Sequence, residues 1–420
     1  MLITEYRLDL VIQALRAVLP LAHPADAALS HHFRTERTGS GERGLIAETV
    51  FGVLRHRLLL EQACADRPTP RRMALAYWVR FGGYNLRELQ PILKPDEAEW
   101  LGQVKGIKLA ELPLAIQAEL PDWLLGLLRE GGWTDDDMLA AGRAMQQSAP
   151  LDLRVNTLRA NRDEVLLALQ AEGVTAAATP YSPVGIRVQG KPALNKSPLF
   201  LGGKIEVQDE GSQLLGYLLA PKRNEMVVDF CAGAGGKTLL LGALMNSQGR
   251  LYAFDVSEKR LANLKPRLAR SGLSNIQPQL IAHESDQKIK RLAGKIDRVL
   301  VDAPCSGLGT LRRNPDLKFR QSPASVAELT QKQAAILAAA AKLLKVGGRL
   351  VYATCSLLAQ ENRVIVEQFL AAHPDFQLLP AGEVLAQQKI ALAMGDYLQL
   401  SPAEHGTDGF FAAVLERRAV

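Results

Sequence analysis

Two cysteines carry the chemistry most readily read from this chain. Cys305 stands in Asp302-Ala303-Pro304-Cys305-Ser306 and Cys355 in Tyr352-Ala353-Thr354-Cys355-Ser356, and each follows a short apolar run that reads as a buried strand. In an open parallel sheet the carboxyl ends of the strands border the ligand crevice, so both thiols are expected to face one site. A thiolate is a strong nucleophile even when only a small fraction is ionised. Two of them, flanked by small or polar residues and accompanied by Asp302, point to covalent chemistry on a ligand. The remaining cysteines, Cys64 in an apolar helix and Cys231 beside a glycine-rich loop, read as packing residues. No Cys-x-x-Cys pair occurs, so neither a zinc site nor a disulfide framework is indicated, and His283 and the pair His31-His32 show no metal-ligand spacing.

The glycine-rich stretch Cys231-Ala232-Gly233-Ala234-Gly235-Gly236-Lys237-Thr238 lies between a strand pattern and a helix pattern. Glycine there lets backbone approach a ligand, and the exposed N–H groups bind its polar atoms. A phosphate-binding loop would need glycine where Cys231 stands. A dinucleotide fingerprint would need a third glycine where Thr238 stands. The third ligand class is S-adenosylmethionine, whose ribose hydroxyls go to a carboxylate at the end of the second strand, the place held by Asp255. An acidic residue about 20 positions past the loop suits a dinucleotide ribose equally, so the loop and Asp255 leave these ligands open.

The elements that must position these groups follow from periodicity. Residues 1–145 look helical, with apolar residues at helical spacing in Leu8-Val11-Ile12-Leu15-Val18-Leu19 and again over Leu45 to Leu54. Arg34 to Arg43 is expected to be an exposed loop, and Pro68-Thr69-Pro70 to break one helix and precede the next. After Pro150 the pattern changes: Leu151 to Asn156 alternates like a strand, Asn161 with Glu164 resembles a capping box, and Gly185–Gln189 and Ile205–Gln208 supply further strands. From about Met226, strand, turn and helix alternate, which predicts a parallel sheet covered on both faces. Its strands are expected at 226–230, 251–255, 276–281, 298–302 and 349–354, with a last strand at 409–415, and helices starting near Lys237, Ser257, Ala324 and Gln360.

At 420 residues the chain suits two or three domains, and 47% hydrophobic residues with no uninterrupted apolar stretch of about 20 describe a globular protein outside the membrane. The N-terminus lacks the basic and apolar regions of a secretory signal, so a cytoplasmic location is expected. The net charge of +6 is unevenly spread. Residues 221–320 hold 18 Lys and Arg against 9 Asp and Glu, whereas residues 1–150 hold 17 against 19. A positive excess around the candidate site suits a polyanionic substrate such as nucleic acid. A monomer is the default expectation.

Taken together, these residues are similar to those of the Nop/Sun RNA cytosine-C5 methyltransferases, and within them the chain resembles the bacterial rRNA small-subunit methyltransferase B type. From about residue 146 onward the resemblance runs through Val207-Gln208-Asp209-Glu210-Gly211-Ser212-Gln213, Asp229-Phe230-Cys231-Ala232 with Gly235-Gly236-Lys237-Thr238, Val301 to Gly307, Arg312-Arg313-Asn314-Pro315-Asp316, and Tyr352 to Ser356. Over residues 1–145 it rests on Phe33-Arg34 and Val50-Phe51-Gly52-Val53-Leu54-Arg55. One departure is Ala234, where the family commonly has proline, which bears on the loop's stiffness rather than its role.

The resemblance implies an α/β fold: a Rossmann-like S-adenosylmethionine-dependent methyltransferase domain (211–420), preceded by a small α/β RNA-binding module (146–210) and an N-terminal helical, NusB-like docking domain (1–145). It implies that Cys355 is the nucleophile, that Cys305 assists product release, and that Asp302 acts on the base. It also implies cofactor contacts from Cys231, Ala232, Gly233, Ala234, Gly235, Gly236, Lys237, Asp255, Asp286 and Asp302. Lys237, Arg312, Arg313, Pro315 and Asp316 are the expected RNA contacts, and no metal is implied.

The chemistry explains these residue types. Carbon 5 of cytosine is too poor a nucleophile to take a methyl group until a thiolate adds at carbon 6. A carboxylic acid near ring nitrogen 3 assists as electrons flow in. Of the possible RNAs, rRNA is favoured over tRNA. Methylation of an exocyclic amine would call for an aromatic residue after the fourth strand, where Asp302-Ala303-Pro304-Cys305 has none. A P-loop NTPase and a non-enzymatic RNA-binding assembly factor are the rival classes.

Overall fold

Amphipathic helices bury their apolar stripes against one another in the first part of the chain. In the helix Glu5–Val18 the expected residues Leu8, Val11, Ile12, Leu15 and Val18 are buried, and in Ser40–Arg55 the buried set includes Ile46, Thr49, Val50, Val53 and Leu54. Thr49 accepts a hydrogen bond from the indole of Trp78 at 2.9 Å, which satisfies the one polar atom of a fully enclosed ring. The helix expected after Pro68-Thr69-Pro70 is Pro70–Arg80, and Thr69 caps it. The expected loop Arg34–Arg43 is much shorter. Helix Ala25–Thr35 runs through its first residues, and the next helix begins at Ser40 with Glu42 in its first turn, where a carboxylate favours the helix dipole.

The computed structural model describes residues 2–36, 38–65, 67–190 and 192–419, and the chain forms two compact units: residues up to 148 together with 310–323, and residues 149–309 together with 324–420. The three expected stretches are therefore regrouped. The excursion 310–323 enters the helical unit through polar anchors. Asp316 accepts the Ala25 N–H at 3.2 Å, capping a helix whose own preceding residue, Pro24, offers no side-chain acceptor. Lys318 donates to the carbonyls of Arg55 (2.9 Å) and Glu119 (2.8 Å) and pairs with the Glu119 carboxylate at 3.2 Å; both side chains are under 5% exposed. Lys318→Ala leaves the Glu119 carboxylate buried with no counter-charge, and about 3–5 kcal/mol of stability should be lost. Denaturant unfolding of the full chain measures it, and a loss below about 1 kcal/mol would mean water reaches the pair.

The second unit contains two sheets. The smaller comprises β1 (Leu151–Val155), β2 (Ala176–Ala178), β3 (Gly185–Val188) and β4 (Ile205–Val207), antiparallel in the order β2-β3-β1-β4, with a helix Arg162–Ala171 opened by the expected Asn161/Glu164 capping box. The larger comprises β5 (Met226–Asp229), β6 (Arg250–Asp255), β7 (Ile276–Leu280), β8 (Ile296–Asp302), β9 (Leu344–Thr354), β10 (Phe376–Leu379), β11 (Tyr397–Leu400) and β12 (Phe410–Arg417). Its order is β10-β12-β9-β8-β5-β6-β7, with β11 also paired to β12. The strands β9-β8-β5-β6-β7 run parallel, and the last three added strands are antiparallel.

Alternation along these strands fills two cores. Val227, Leu251, Leu300, Val351 and Ala412 face one, and Val228, Tyr252, Val299, Leu350 and Phe411 the other. Both faces being covered is why these strands read as unbroken apolar runs. The first core continues without a break into the small sheet through Leu153, Val155, Ile186 and Ile205. The helix Glu210–Leu219, buried at every residue, joins them. Glu210 accepts the Tyr181 and Ser182 N–H groups, and Gln213 donates to the Leu153 and Gln208 carbonyls, so the motif at 207–213 is a structural joint.

Candidate active site

The chain runs from β5 outward through β6 to β7, then returns to β8 on the other side of β5. That reversal opens a crevice at the carboxyl ends of β5 and β8. Cys305 follows β8 and Cys355 follows β9, adjacent parallel strands in which Asp302 pairs with Ala353. The two sulfurs are 3.5 Å apart. The hydrogen bond with Cys355, reinforced by burial, pushes the Cys305 thiol well above its ordinary value, so Cys305 is held in its protonated form. The Gly309 N–H donates to the Cys355 carbonyl at 2.9 Å. Only glycine fits at 309, because an added Cβ would lie 2.3 Å from the Gly409 carbonyl oxygen.

Asp302, at the end of β8 and half-buried, accepts from Lys237 Nζ at 2.6 Å. Burial alone would lower the Lys237 pKa, but the Asp302 carboxylate outweighs it and raises it, so the ammonium form is held. Its Nζ also lies 5.8 Å from the centre of the Phe410 ring.

The glycine loop occupies the turn from β5 into the helix Gly236–Leu244. Gly235 has φ +82°, a left-handed conformation that favours glycine, and a Cβ there would also have to displace the Leu264 Cδ1 methyl, 2.1 Å away. The loop is braced from behind. Arg267 donates to the Ala234 carbonyl at 2.7 Å and the wholly buried Arg154 to the Gly236 carbonyl at 2.5 Å. These bonds restrain a loop that lacks proline at 234. Neither arginine was expected from the sequence to serve the loop, since nothing local pairs residue 154 with residue 236.

Asp255 accepts the Gly233 N–H (2.8 Å) with one oxygen and the Ser257 N–H (2.7 Å) with the other. Beside it, Val256 is 55% exposed, and Leu280, its β7 register partner's side chain, is 41% exposed. A carboxylate flanked by two exposed aliphatic side chains at the strand ends fits an adenosine, with ribose hydroxyls on the acid and the base on the apolar platform. Asp286 stands on the exposed loop after β7, where the Ala282 and Lys288 N–H groups it accepts hold its carboxylate below the usual range. Cys231 packs its side chain against the second core, and burial pushes its thiol up, which leaves its backbone to line the loop. A P-loop role is disfavoured by geometry: Thr238 is fully buried and gives its hydroxyl to Asp229 at 2.7 Å, while Lys237 is bound to Asp302.

Asp229 itself is buried, and burial, with Asp302 and Asp255 nearby, pushes its carboxyl up to about 7 against the pull of the Thr238 hydrogen bond. The folded state thus holds a proton that an unfolded carboxyl releases near its ordinary 3.8. The stability this contributes is present below that lower value and disappears as pH rises to about 7, at roughly 1.4 kcal/mol per pH unit. Asp229→Asn cannot titrate, so its unfolding free energy should vary less steeply with pH over that window. Parallel pH profiles for both proteins would place the proton elsewhere.

Beneath the two thiols lies a residue that sequence reasoning missed. Glu361 is fully buried and accepts the Ser306 N–H (2.8 Å), the Gln333 side-chain amide (2.9 Å), the Ser306 hydroxyl (2.5 Å) and the Ser356 hydroxyl. No motif spacing marks it, because its partners lie in three separate stretches of chain.

The expected RNA contacts need correcting. Arg312 and Asp316 are 6% and 3% exposed and Pro315 is buried, all within the excursion that packs in the helical unit. The Arg312 carbonyl accepts from Arg55, and Asp316 serves as the cap described above. Their charge and turn residues read as an exposed basic loop, whereas tertiary packing uses them as anchors. Arg313 is half-buried, and Lys237 lies in the crevice.

The chain is similar to known rRNA methyltransferases. Residues 216–416 match the family described as 16S rRNA methyltransferase RsmB/F, and residues 120–195 match the ferredoxin-like domain of RsmF/B-like methyltransferases. The chain is 33% identical to a probable ribosomal RNA small subunit methyltransferase B of Synechocystis sp., covering 93% of this chain and 95% of the relative. It is 32% identical to the ribosomal RNA small subunit methyltransferase B of Sodalis glossinidius, covering 96% and 93%. A crystal structure described as PH0851 superposes with a TM-score of 0.79 at 27% identity, covering 99% of this chain and 100% of that one. A methyltransferase homologue from Pyrococcus horikoshii gives 0.58 at 28% identity, covering 71% and 100%.

Proposed function

Because this chain belongs to the RsmB/F family of rRNA methyltransferases, we propose that it transfers a methyl group from S-adenosylmethionine to carbon 5 of a cytosine in small-subunit rRNA. The observation that carries the cytosine-C5 reading is the pair of sulfurs 3.5 Å apart at adjacent strand ends, beside a carboxylate. Aromatic-ring methylation at an unactivated carbon needs a nucleophile to enter and a base to leave by, and two thiols supply both roles.

S-adenosylmethionine, when bound, supplies an electrophilic methyl group on a sulfonium. Asp255 would hold its ribose, with Val256 and Leu280 against the base and the backbone of residues 231–236 around the rest. Cys355, its proton passed to solvent, adds as the thiolate to carbon 6 of the extruded cytosine, and Asp302, backed by the Lys237 ammonium, supports ring nitrogen 3 as negative charge arrives there. Carbon 5 then becomes enamine-like. While Cys355 is free, its hydrogen bond is what chiefly keeps the Cys305 proton in place. Once Cys355 is a thioether it no longer holds that proton, although burial still favours the thiol, and Cys305 acts as the base after passing its proton to solvent. The Cys305 thiolate takes the proton from carbon 5, the electron pair re-forms the ring double bond, and Cys355 leaves as thiolate.

Extruding a base is least unfavourable in a single-stranded or loop segment. The helical unit, whose charges nearly balance at 21 Lys and Arg against 20 Asp and Glu, would dock RNA or a ribosomal partner. The proposal takes the chain to act as a monomer in the cytoplasm. No helix among the described residues is long and apolar enough to cross a membrane.

Bisulfite sequencing of total RNA from cells with and without this chain tests the reading. One cytosine of small-subunit rRNA should lose its protection when the chain is removed and regain it on complementation. Loss at a tRNA cytosine alone, or at no cytosine, would overturn it.

A further inference from the structure

The β8–β9 ladder ends at the Ala303 N–H, which donates to the Ala353 carbonyl at 2.9 Å. Beyond that point the strands no longer hold residues 305 and 355 in register, yet their sulfurs meet. Glu361 fills this role. One oxygen takes the Ser306 N–H and the Gln333 amide, and the other takes the hydroxyls of Ser306 and Ser356, the residues that directly follow the two cysteines. The two hydroxyls are themselves 3.1 Å apart. Gln333 also donates to the Pro304 carbonyl at 2.9 Å, and Tyr352, on β9, donates its hydroxyl to the Glu361 carbonyl at 2.7 Å. With no solvent access, four donors converge on one carboxylate.

We propose that Glu361 is a positioning residue that clamps the Cys305 and Cys355 loops together, and that its main consequence is release of the methylated base. This rests on the two-cysteine reading above. Attack on carbon 6 needs only Cys355 in place. Release needs Cys305 to reach the carbon 5 proton while Cys355 is still bonded to the same ring, so it is the step that depends on the relative placement of both loops. A buried acceptor that serves both is suited to that demand, since a carboxylate presents acceptor sites on both oxygens and no competing N–H.

Glu361→Gln keeps the shape and sets an amide N–H₂ against existing donors, on whichever side it lies. Turnover with small-subunit rRNA transcript should fall by about 10²-fold, the cost of a misplacement near 1 Å. The dissociation constant for S-adenosylmethionine should stay within about threefold, because the cofactor loop is braced independently. A slowly migrating protein–RNA band should accumulate in denaturing gels, as it should for Cys305→Ala. Ser356→Ala, which removes one arm of the clamp without touching the buried acid, should give the same band more weakly. A purely structural role would instead lower thermal stability, cofactor affinity and methylation together with no band. If Cys305→Ala gives the band and neither clamp variant does, the clamp is refuted and the two-cysteine chemistry stands. If Cys305→Ala gives none, the chemistry on which the clamp rests is itself overturned.

Discussion

Cys355→Ala should fold, retain S-adenosylmethionine and RNA, and transfer no measurable methyl group, a loss on the order of 10⁴-fold or more, as when other enzymes lose a covalent nucleophile. Alanine removes one atom from a half-buried side chain whose backbone carbonyl still accepts from Gly309, so the loop keeps its course. Without sulfur at 355, carbon 6 has no partner and carbon 5 keeps its aromatic character. No protein–RNA adduct should form under any condition. Cys305→Ala makes the opposite pattern: Cys355 still adds and methyl transfer still proceeds once, but the carbon 5 proton has no acceptor and the adduct persists. Radiolabelled methyl incorporation together with denaturing gels of both variants reads the two outcomes. An adduct on Cys355→Ala that is absent from Cys305→Ala would exchange the two roles. Full complementation of a deletion strain by Cys355→Ala, together with no methyl transfer by the purified unsubstituted protein, would show that the chain acts as a non-enzymatic assembly factor.

Asp302→Ala should lower turnover by about 10² to 10⁴-fold, the range for loss of a positioned acid. Two effects combine. The base loses its partner near ring nitrogen 3, and Lys237 loses the carboxylate that sits 2.6 Å away and offsets its burial. Without that offset, burial acts on Lys237 against only the weaker pull of Cys355 and Asp229, so its ammonium form is less favoured at the moment the ring becomes electron-rich. Asp302→Asn keeps the shape and can still donate a hydrogen bond to an unprotonated ring nitrogen, so it should retain more activity than the alanine variant. Comparing single-turnover rates of the two variants under saturating donor separates chemistry from binding. Equal rates for asparagine and alanine would indicate that the carboxylate acts through its charge on Lys237 alone.

Much of this was open to reading from the chain alone. Strands buried on both faces must be apolar throughout, so β5, β6, β8 and β9 stand out as short hydrophobic runs, and whatever follows them lies at the crevice. That is why Cys305, Cys355, Asp302, Asp255 and the glycine loop could be named from position in the pattern. Capping at Asn161 was equally legible, because a cap and its partner are only a few residues apart. Strands β10 and β11 were not: each is four residues long and owes its conformation to pairing with β12.

What only the tertiary structure decided is which distant polar groups meet. Arg154 reaches Gly236 across 82 residues, Ser306 reaches Glu361 across 55, and Lys318 reaches Glu119 across 199. Periodicity tells which face a residue turns, but not which returning segment will cover that face. A buried polar atom must find a partner, and the partner is chosen by the path of the whole chain. For the same reason Arg312 and Asp316, polar and beside a proline, read as surface and proved to be anchors. The types of the candidate reacting groups were written in local sequence; the 3.5 Å meeting of the two sulfurs, and the buried acid bonded to both loops, came from the fold.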